Sequence, residues 1–212
     1  MNPRTVRETV DGPAGRIECA FDAPDAAPRG IVVICHPHPQ GGGTLDNKVV
    51  QTISRAFVQV GWASVRFNFR GVGNSEGVWD DGRGEVDDAL AIVRALASRE
   101  ASAGLPLALA GFSFGGFVAA AAAERLADGV EARHLVLIAP STLEQLVPAV
   151  PAESIVIHGD LDELVPLEAT LAWARPLGVP VIVFPGVGHF FHGQLGLLKT
   201  VLLRELRGRG AV

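Results

Sequence analysis

The chain has 212 residues, 48% of them hydrophobic and 19% charged, with a formal net charge of -5. It is too apolar for a disordered chain, and its length suits one domain spanning 1–212 with a sizeable core. The acidic balance argues against nucleic acid or an acidic membrane surface as a partner, and no apolar stretch approaches a membrane span. Residues 1–15 contain no apolar segment of the signal-peptide type, so a cytoplasmic location is expected. The two cysteines, Cys19 and Cys35, lie in strand-like runs, which predicts buried free thiols rather than a disulfide framework or a zinc site.

Residues 4–10 alternate charged and apolar until Asp11-Gly12-Pro13 breaks the run, and residues 15–21 follow as a second short strand. Together they predict an antiparallel hairpin at a sheet edge. Residues 22–30 are a loop with two prolines. Residues 31–35, Ile-Val-Val-Ile-Cys, form a continuous apolar run of the kind buried on both faces. Similar runs occupy 63–69, 105–110, 135–139 and 181–184, with a shorter one at 154–158. Helical periodicity fills the intervals. Residues 47–60 place Val50, Ile53, Phe57 and Val60 on one face, and residues 85–98 do the same with Val86, Leu90, Val93 and Leu96. The alanine-rich stretch 117–126 and residues 167–177 and 195–206 complete the helical set. This alternation predicts an α/β fold with a mostly parallel sheet covered by helices on both faces, and ligands beyond the carboxyl ends of the strands.

Those strand ends carry most of the reactive side chains. The apolar run at 105–110 feeds Gly111-Phe112-Ser113-Phe114-Gly115-Gly116 and then a helix. A strand that turns into a helix around one serine, with glycines two before and two after it, is a nucleophile elbow. A serine hydroxyl needs a base to take its proton, and the base needs a carboxylate to fix its tautomer. Among the six histidines, His134 precedes a strand and belongs at the wrong edge. His158 reads as a satisfied histidine within its strand. His189 follows the last strand on a glycine turn and is the favoured base, with His192 second. Of the acids past the strand at 154–158, Asp160 suits a turn held by backbone hydrogen bonds. Asp162 has the reach to an incoming histidine, and Glu163 ranks third. The order Ser113, Asp162, His189 is the one associated with this elbow.

The oxyanion of an acyl-transfer intermediate needs preorganised N–H donors. One is expected from the backbone of Phe114, at a helix N-terminus. The other must come from the loop after Cys35. Pro37 and Pro39 have no N–H, which leaves His38 and Gln40, with His38 favoured. This gives His38 a backbone role and leaves its imidazole dispensable. His36 and His38 resemble a zinc-site fragment, but the ligands that would complete it are missing, so neither metal nor cofactor is expected. Arg70 is read as a prop for the loop at 71–74 rather than an anion binder. Trp79 and Trp173 fit pocket walls or core packing equally.

These residues give the chain a resemblance to the α/β-hydrolase superfamily over nearly its whole length, most of all to small lidless bacterial dienelactone-hydrolase-like serine hydrolases. The matching segments are His36-Pro37-His38-Pro39 with Gly42-Gly43, Asp46-Asn47-Lys48, Arg66 to Gly73, the elbow, the Asp162 loop and Gly188-His189. The resemblance implies an eight-stranded sheet whose second strand runs antiparallel, and esterase-like activity on a small-molecule ester. Ser113 stands where dienelactone hydrolases proper carry cysteine. Only residues 140–153 separate the strands ending at 139 and starting at 154. That is room for a short helix near 142–146 and not for a cap domain, so an open site is expected. Thioesterase, peptidase and acyltransferase chemistry on the same triad are the alternatives, with a catalytically silent binding protein as a further one. An exposed edge strand is compatible with a homodimer.

Overall fold

The computed structural model describes residues 5–99, 102–126 and 130–211. Residue 4, which the alternation places at the start of the first strand, lies outside them. The strands are β1 (Val6–Gly12), β2 (Gly15–Asp22), β3 (Ile31–Cys35), β4 (Ala63–Phe67), β5 (Leu107–Phe112), β6 (Ala132–Ile138), β7 (Ile155–Gly159) and β8 (Val181–Phe184). They form one sheet in the order β1-β2-β4-β3-β5-β6-β7-β8. β1 and β2 make the expected edge hairpin, and β2 is antiparallel to both of its neighbours. Every other pairing is parallel.

The helices are α1 (Lys48–Gln59), α2 (Arg83–Ala97), α3 (Phe114–Glu124), α4 (Leu167–Leu177) and α5 (Leu195–Gly208). Alternate side chains of the central strands serve the two faces. Ile31, Val33, Cys35 and Leu109 pack with α2, α3 and α4, whereas Val32, Ile34, Ala110 and Phe112 pack with α1 and α5. Continuous apolar runs are therefore required in the middle of the sheet, because both faces are covered. Each fully buried Val, Leu, Ile or Phe contributes about 1.5–3 kcal/mol. No helix among the described residues is long and apolar enough to cross a membrane. Cys19 and Cys35 are free and buried; burial pushes the Cys19 thiol up to about 12 and raises that of Cys35 as well.

Several boundaries differ from expectation for identifiable reasons. β5 begins at Leu107 rather than 105, because Pro106 has no N–H to give the ladder, although its carbonyl accepts from Ile31 at 2.9 Å. α3 begins at Phe114, so the glycines at 115 and 116 are helical, chosen for closeness rather than for a loop. His134 lies inside β6, not before it, though still near that strand's amino end. Residues 142–145 form a hydrogen-bonded turn instead of a helix. Gln145 N–H reaches the Ser141 carbonyl at 3.1 Å, and Pro148 and Pro151 prevent propagation.

Helix α1 starts where it does because Asn47 caps it: the side-chain oxygen accepts from the N–H groups of Val49 at 2.9 Å and Val50 at 3.4 Å. Asn47→Ala is expected to lower stability by about 1 kcal/mol. Urea unfolding should show a lower midpoint with an unchanged slope.

Candidate active site

Ser113 sits between β5 and α3 with φ 57° and ψ -121°, a strained conformation for a residue with a side chain. Its surroundings hold it there. Its N–H donates to the Ile138 carbonyl at 2.9 Å, and its own carbonyl accepts from Gly116 at 2.8 Å and Ser141 at 3.2 Å. The flanking glycines are steric requirements. A β-carbon at Gly111 would overlap the carbonyl of Gly115, and one at Gly115 would overlap the carbonyls of Cys35 and His36. The helix that follows the serine is thus pressed against the ends of β3 and β5, with its N-terminus at the sheet's carboxyl edge.

The ends of β7 and β8 are sewn together. Asp160 Oδ1 accepts from Gly186 N–H at 2.6 Å. The N–H groups of Asp160 and Leu161 donate to the carbonyls of Phe184 at 3.1 Å and Val187 at 3.0 Å. Asp160 therefore holds a turn, as expected, but does so across two loops. A β-carbon at Gly159 would overlap the Val187 carbonyl, so the two chains pass in close contact.

This closeness brings Asp162 to His189. Asp162 Oδ2 lies 2.7 Å from His189 Nδ1, and both side chains are almost wholly buried. Asp162 Oδ1 accepts from the N–H groups of Leu164 at 3.0 Å and Val165 at 2.8 Å. Burial alone would raise the Asp162 carboxyl. The N–H edges of His158 and His189 and the Val165 N–H outweigh it and hold the group well below the usual carboxylate range. An ionised carboxylate only accepts, so Nδ1 of His189 carries a hydrogen, and in the neutral ring this leaves the lone pair on Nε2. The ring lies 4.9 Å from that of Phe112, the residue before Ser113, and 5.1 Å from that of Phe190. Among the described residues, no hydrogen bond joins Ser113 Oγ to His189. Such contacts are often long in a free site and tighten around substrate. His192 and Glu163 are exposed and, among the described residues, make no hydrogen bond to Asp162 or His189, although the Glu163 carboxylate lies beside Gly188; His134 packs against Trp62 near the other edge.

The loop after β3 reaches the elbow. His38 precedes a short 3-10 turn, Pro39–Gly41, and its ring lies 4.7 Å from that of Trp79 and 5.2 Å from that of Phe114. Among the described residues, neither His38 N–H nor Phe114 N–H donates to a protein acceptor. Gln40 is exposed within the 3-10 turn. Trp79, left undecided by its sequence context, is half-buried over His38 and Phe114. Trp173 donates to the carbonyls of Val147 and Pro148 and so anchors the segment at 140–153. Arg70 grips Asp88 of α2 through its Nε and Nη2 atoms at 2.7–3.2 Å, which commits its charge to holding the loop. Among the described residues, no cluster of three or more His, Cys, Asp or Glu is placed to hold a metal ion.

His36 is fully buried and ties β3 to β4. Its Nδ1 lies 2.6 Å from the Pro37 carbonyl, and its Nε2 accepts from Phe69 N–H at 3.1 Å. The tautomer is therefore fixed with the proton on Nδ1.

With this geometry in place, three comparisons bear on ancestry. A family model described as serine aminopeptidase, S33, matches residues 26–155, more than half of the chain. The chain belongs to that family of α/β hydrolases. The match includes the β3 loop and the elbow, but ends before Asp162 and His189. An α/β serine hydrolase homologue from Coxiella burnetii is 36% identical with a TM-score of 0.86; the alignment covers 95% of this chain and 97% of the other. A lidless α/β serine hydrolase from Xanthomonas campestris is 34% identical with a TM-score of 0.89, over 98% and 96% of the two chains. An uncharacterized protein of Rickettsia prowazekii (strain Madrid E) is 36% identical in an alignment of 162 residues that covers 73% of this chain and 66% of that protein. The α/β hydrolase thus spans about two thirds of the length of that relative. The short turns between β6 and β7, with no cap domain there, agree with the lidless form of the Xanthomonas campestris hydrolase.

The His36 environment makes stability pH-dependent. Burial pushes this imidazole down to about 4, with the Pro37 carbonyl opposing. Its folded pKa lies below the unfolded value near 6.5, so the unfolded state binds more protons between them. Stability is full above about pH 6.5 and falls by ~3 kcal/mol as pH drops toward 4. Asp162, also depressed on folding, adds its loss below the ordinary carboxylate pKa near 4. Urea midpoints measured from pH 7 to 4 should fall steadily in the natural chain, and less steeply over pH 6.5–4 in His36→Gln.

Proposed function

We propose that this α/β serine hydrolase is a cofactor-independent carboxylesterase acting on small or medium acyl esters through Ser113, His189 and Asp162. The observation that carries the reading is the 2.7 Å Asp162–His189 contact, formed at the strand ends beside a serine held at positive φ. Ser113 Oγ attacks the ester carbonyl while His189 Nε2 takes its proton. Asp162 holds the ring in the required tautomer and stabilises its cation. The backbone N–H groups of Phe114 and His38, which have no protein acceptor among the described residues, receive the oxyanion. His189 then protonates the departing alcohol. Water, deprotonated by His189, releases the acid from the acyl-enzyme.

Amide cleavage is the second reading, because the matching family model is described as a serine aminopeptidase. The same triad serves an amide only if His189 also delivers a proton to the poorer amine leaving group. Oxoester, thioester and amide substrates with one shared acyl group separate the readings. A kcat/KM for the amide at or above that of the ester would replace the esterase reading.

Ser113→Ala is expected to abolish labelling by a fluorophosphonate probe and to lower kcat on nitrophenyl butyrate by ~10⁶-fold, with the fold intact by circular dichroism. Asp162→Asn should cost ~10⁴-fold in kcat through the wrong His189 tautomer. Labelling or turnover retained by a folded Ser113→Ala protein would remove Ser113 from the nucleophile role.

A further inference from the structure

Asp162 faces two histidines, and only one has a role in the chemistry above. His158 lies on β7 four residues before Asp162 and is fully buried. Its Nε2 is 2.7 Å from the Val165 carbonyl and 3.3 Å from Asp162 Oδ2, the same oxygen that meets His189. A carbonyl only accepts, so Nε2 of His158 carries a hydrogen. That N–H points chiefly at Val165 and presents its positive edge to the carboxylate. Val165 in turn donates its own N–H to Asp162 Oδ1 at 2.8 Å. The acid is thus held on one side by His189 and on the other by a turn whose far end His158 grips. The Nδ1 of His158 is 3.2 Å from Thr170 Oγ1 on α4, and Thr170 Oγ1 is 3.1 Å from Thr142 Oγ1. Thr142 belongs to the segment at 140–153, where Ser141 N–H binds the Ser113 carbonyl.

We propose that His158 is a positioning residue for the acid: it fixes the Asp162–Val165 turn so that Oδ2 stays in line with His189 Nδ1, and it links that turn through Thr170 and Thr142 to the segment that braces Ser113. A histidine that only filled space would need neither the Val165 carbonyl nor the threonine pair. Its Nε2 would also have no reason to sit within contact of the acid's working oxygen. The inference rests on the triad reading given above.

The experiment compares His158→Leu, which removes both ring nitrogens, with His158→Gln, whose amide can still donate toward Val165 and Asp162. Two readouts are taken: steady-state kinetics on nitrophenyl butyrate, and the far-downfield proton resonance of the His189 Nδ1–H in the unliganded protein. His158→Leu is expected to lower kcat by ~10- to 10²-fold, as a misplacement of about 1 Å in catalytic geometry does, with KM changed by less than about twofold and the resonance shifted or lost. His158→Gln should recover most of the kcat and the resonance. A folded His158→Leu protein with natural kcat and an unmoved resonance overturns the proposal, and so does an equal kcat loss in both variants. If His158→Leu does not fold, the isosteric Thr170→Val decides: a several-fold fall in kcat at unchanged KM supports the link, and natural kcat overturns it. If the natural protein itself does not turn over the ester, the esterase reading fails, and the resonance alone decides the role of His158.

Discussion

Everything at the site depends on how closely α3 can approach the sheet. Ser113 at positive φ costs ~1–3 kcal/mol of backbone strain, which local contacts must offset. The contacts that do so are possible only because Gly111 and Gly115 have no side chains: the carbonyls of Gly115, Cys35 and His36 occupy the space that β-carbons would need. The same approach brings the N-terminus of α3 beside the loop after β3. That is why His38 and Phe114 pack against each other although they are far apart in sequence. A fold-level choice, a parallel strand order with β3 and β5 adjacent, thereby sets an atomic-level condition.

The second constraint is the register at the other end of the site. β7 and β8 pair in parallel with Gly159 opposite Phe184, so the two chains leave the sheet at the same level. Bonds from Asp160, Leu161 and Gly186 then keep the departing loops together until Asp162 and His189 meet. Asp162 can remain ionised in a buried place because N–H groups surround it. Without them burial would favour the neutral acid, which could not fix the His189 tautomer. Electrostatics and register therefore support one geometry from independent directions.

Much of this was legible in the sequence, and the reasons are physical. Glycines on both sides of Ser113 announce a place where side chains do not fit, and unbroken apolar runs announce strands covered on both faces. Asp160 and Asp162 could be told apart by reach, since one is suited to a turn and the other stands two residues further along. What stayed hidden depends on partners distant in the chain. The acceptor role of Asp160 toward Gly186 is fixed by the β7–β8 approach. The burial of His158 was readable, but its contact with Asp162 depends on the path of the turn between them. The length of the segment at 140–153 was plain, whereas its course after the turn depends on Trp173 holding the Val147 and Pro148 carbonyls. Trp79 gave no local sign that it would pack over His38 and Phe114.

The brevity of that segment also bears on the acyl-Ser113 intermediate of the mechanism proposed above. Enzymes that hand an acyl group to an acceptor other than water must keep water away while the intermediate lasts, and they commonly do so by closing over it. A segment that crosses from β6 to β7 in short turns, pinned by prolines and by the Trp173 indole, offers no helix long enough to fold over Ser113. On the mechanism proposed above, the acyl group on Ser113 would therefore lie open to the most abundant nucleophile present, in keeping with the hydrolase family to which the chain belongs.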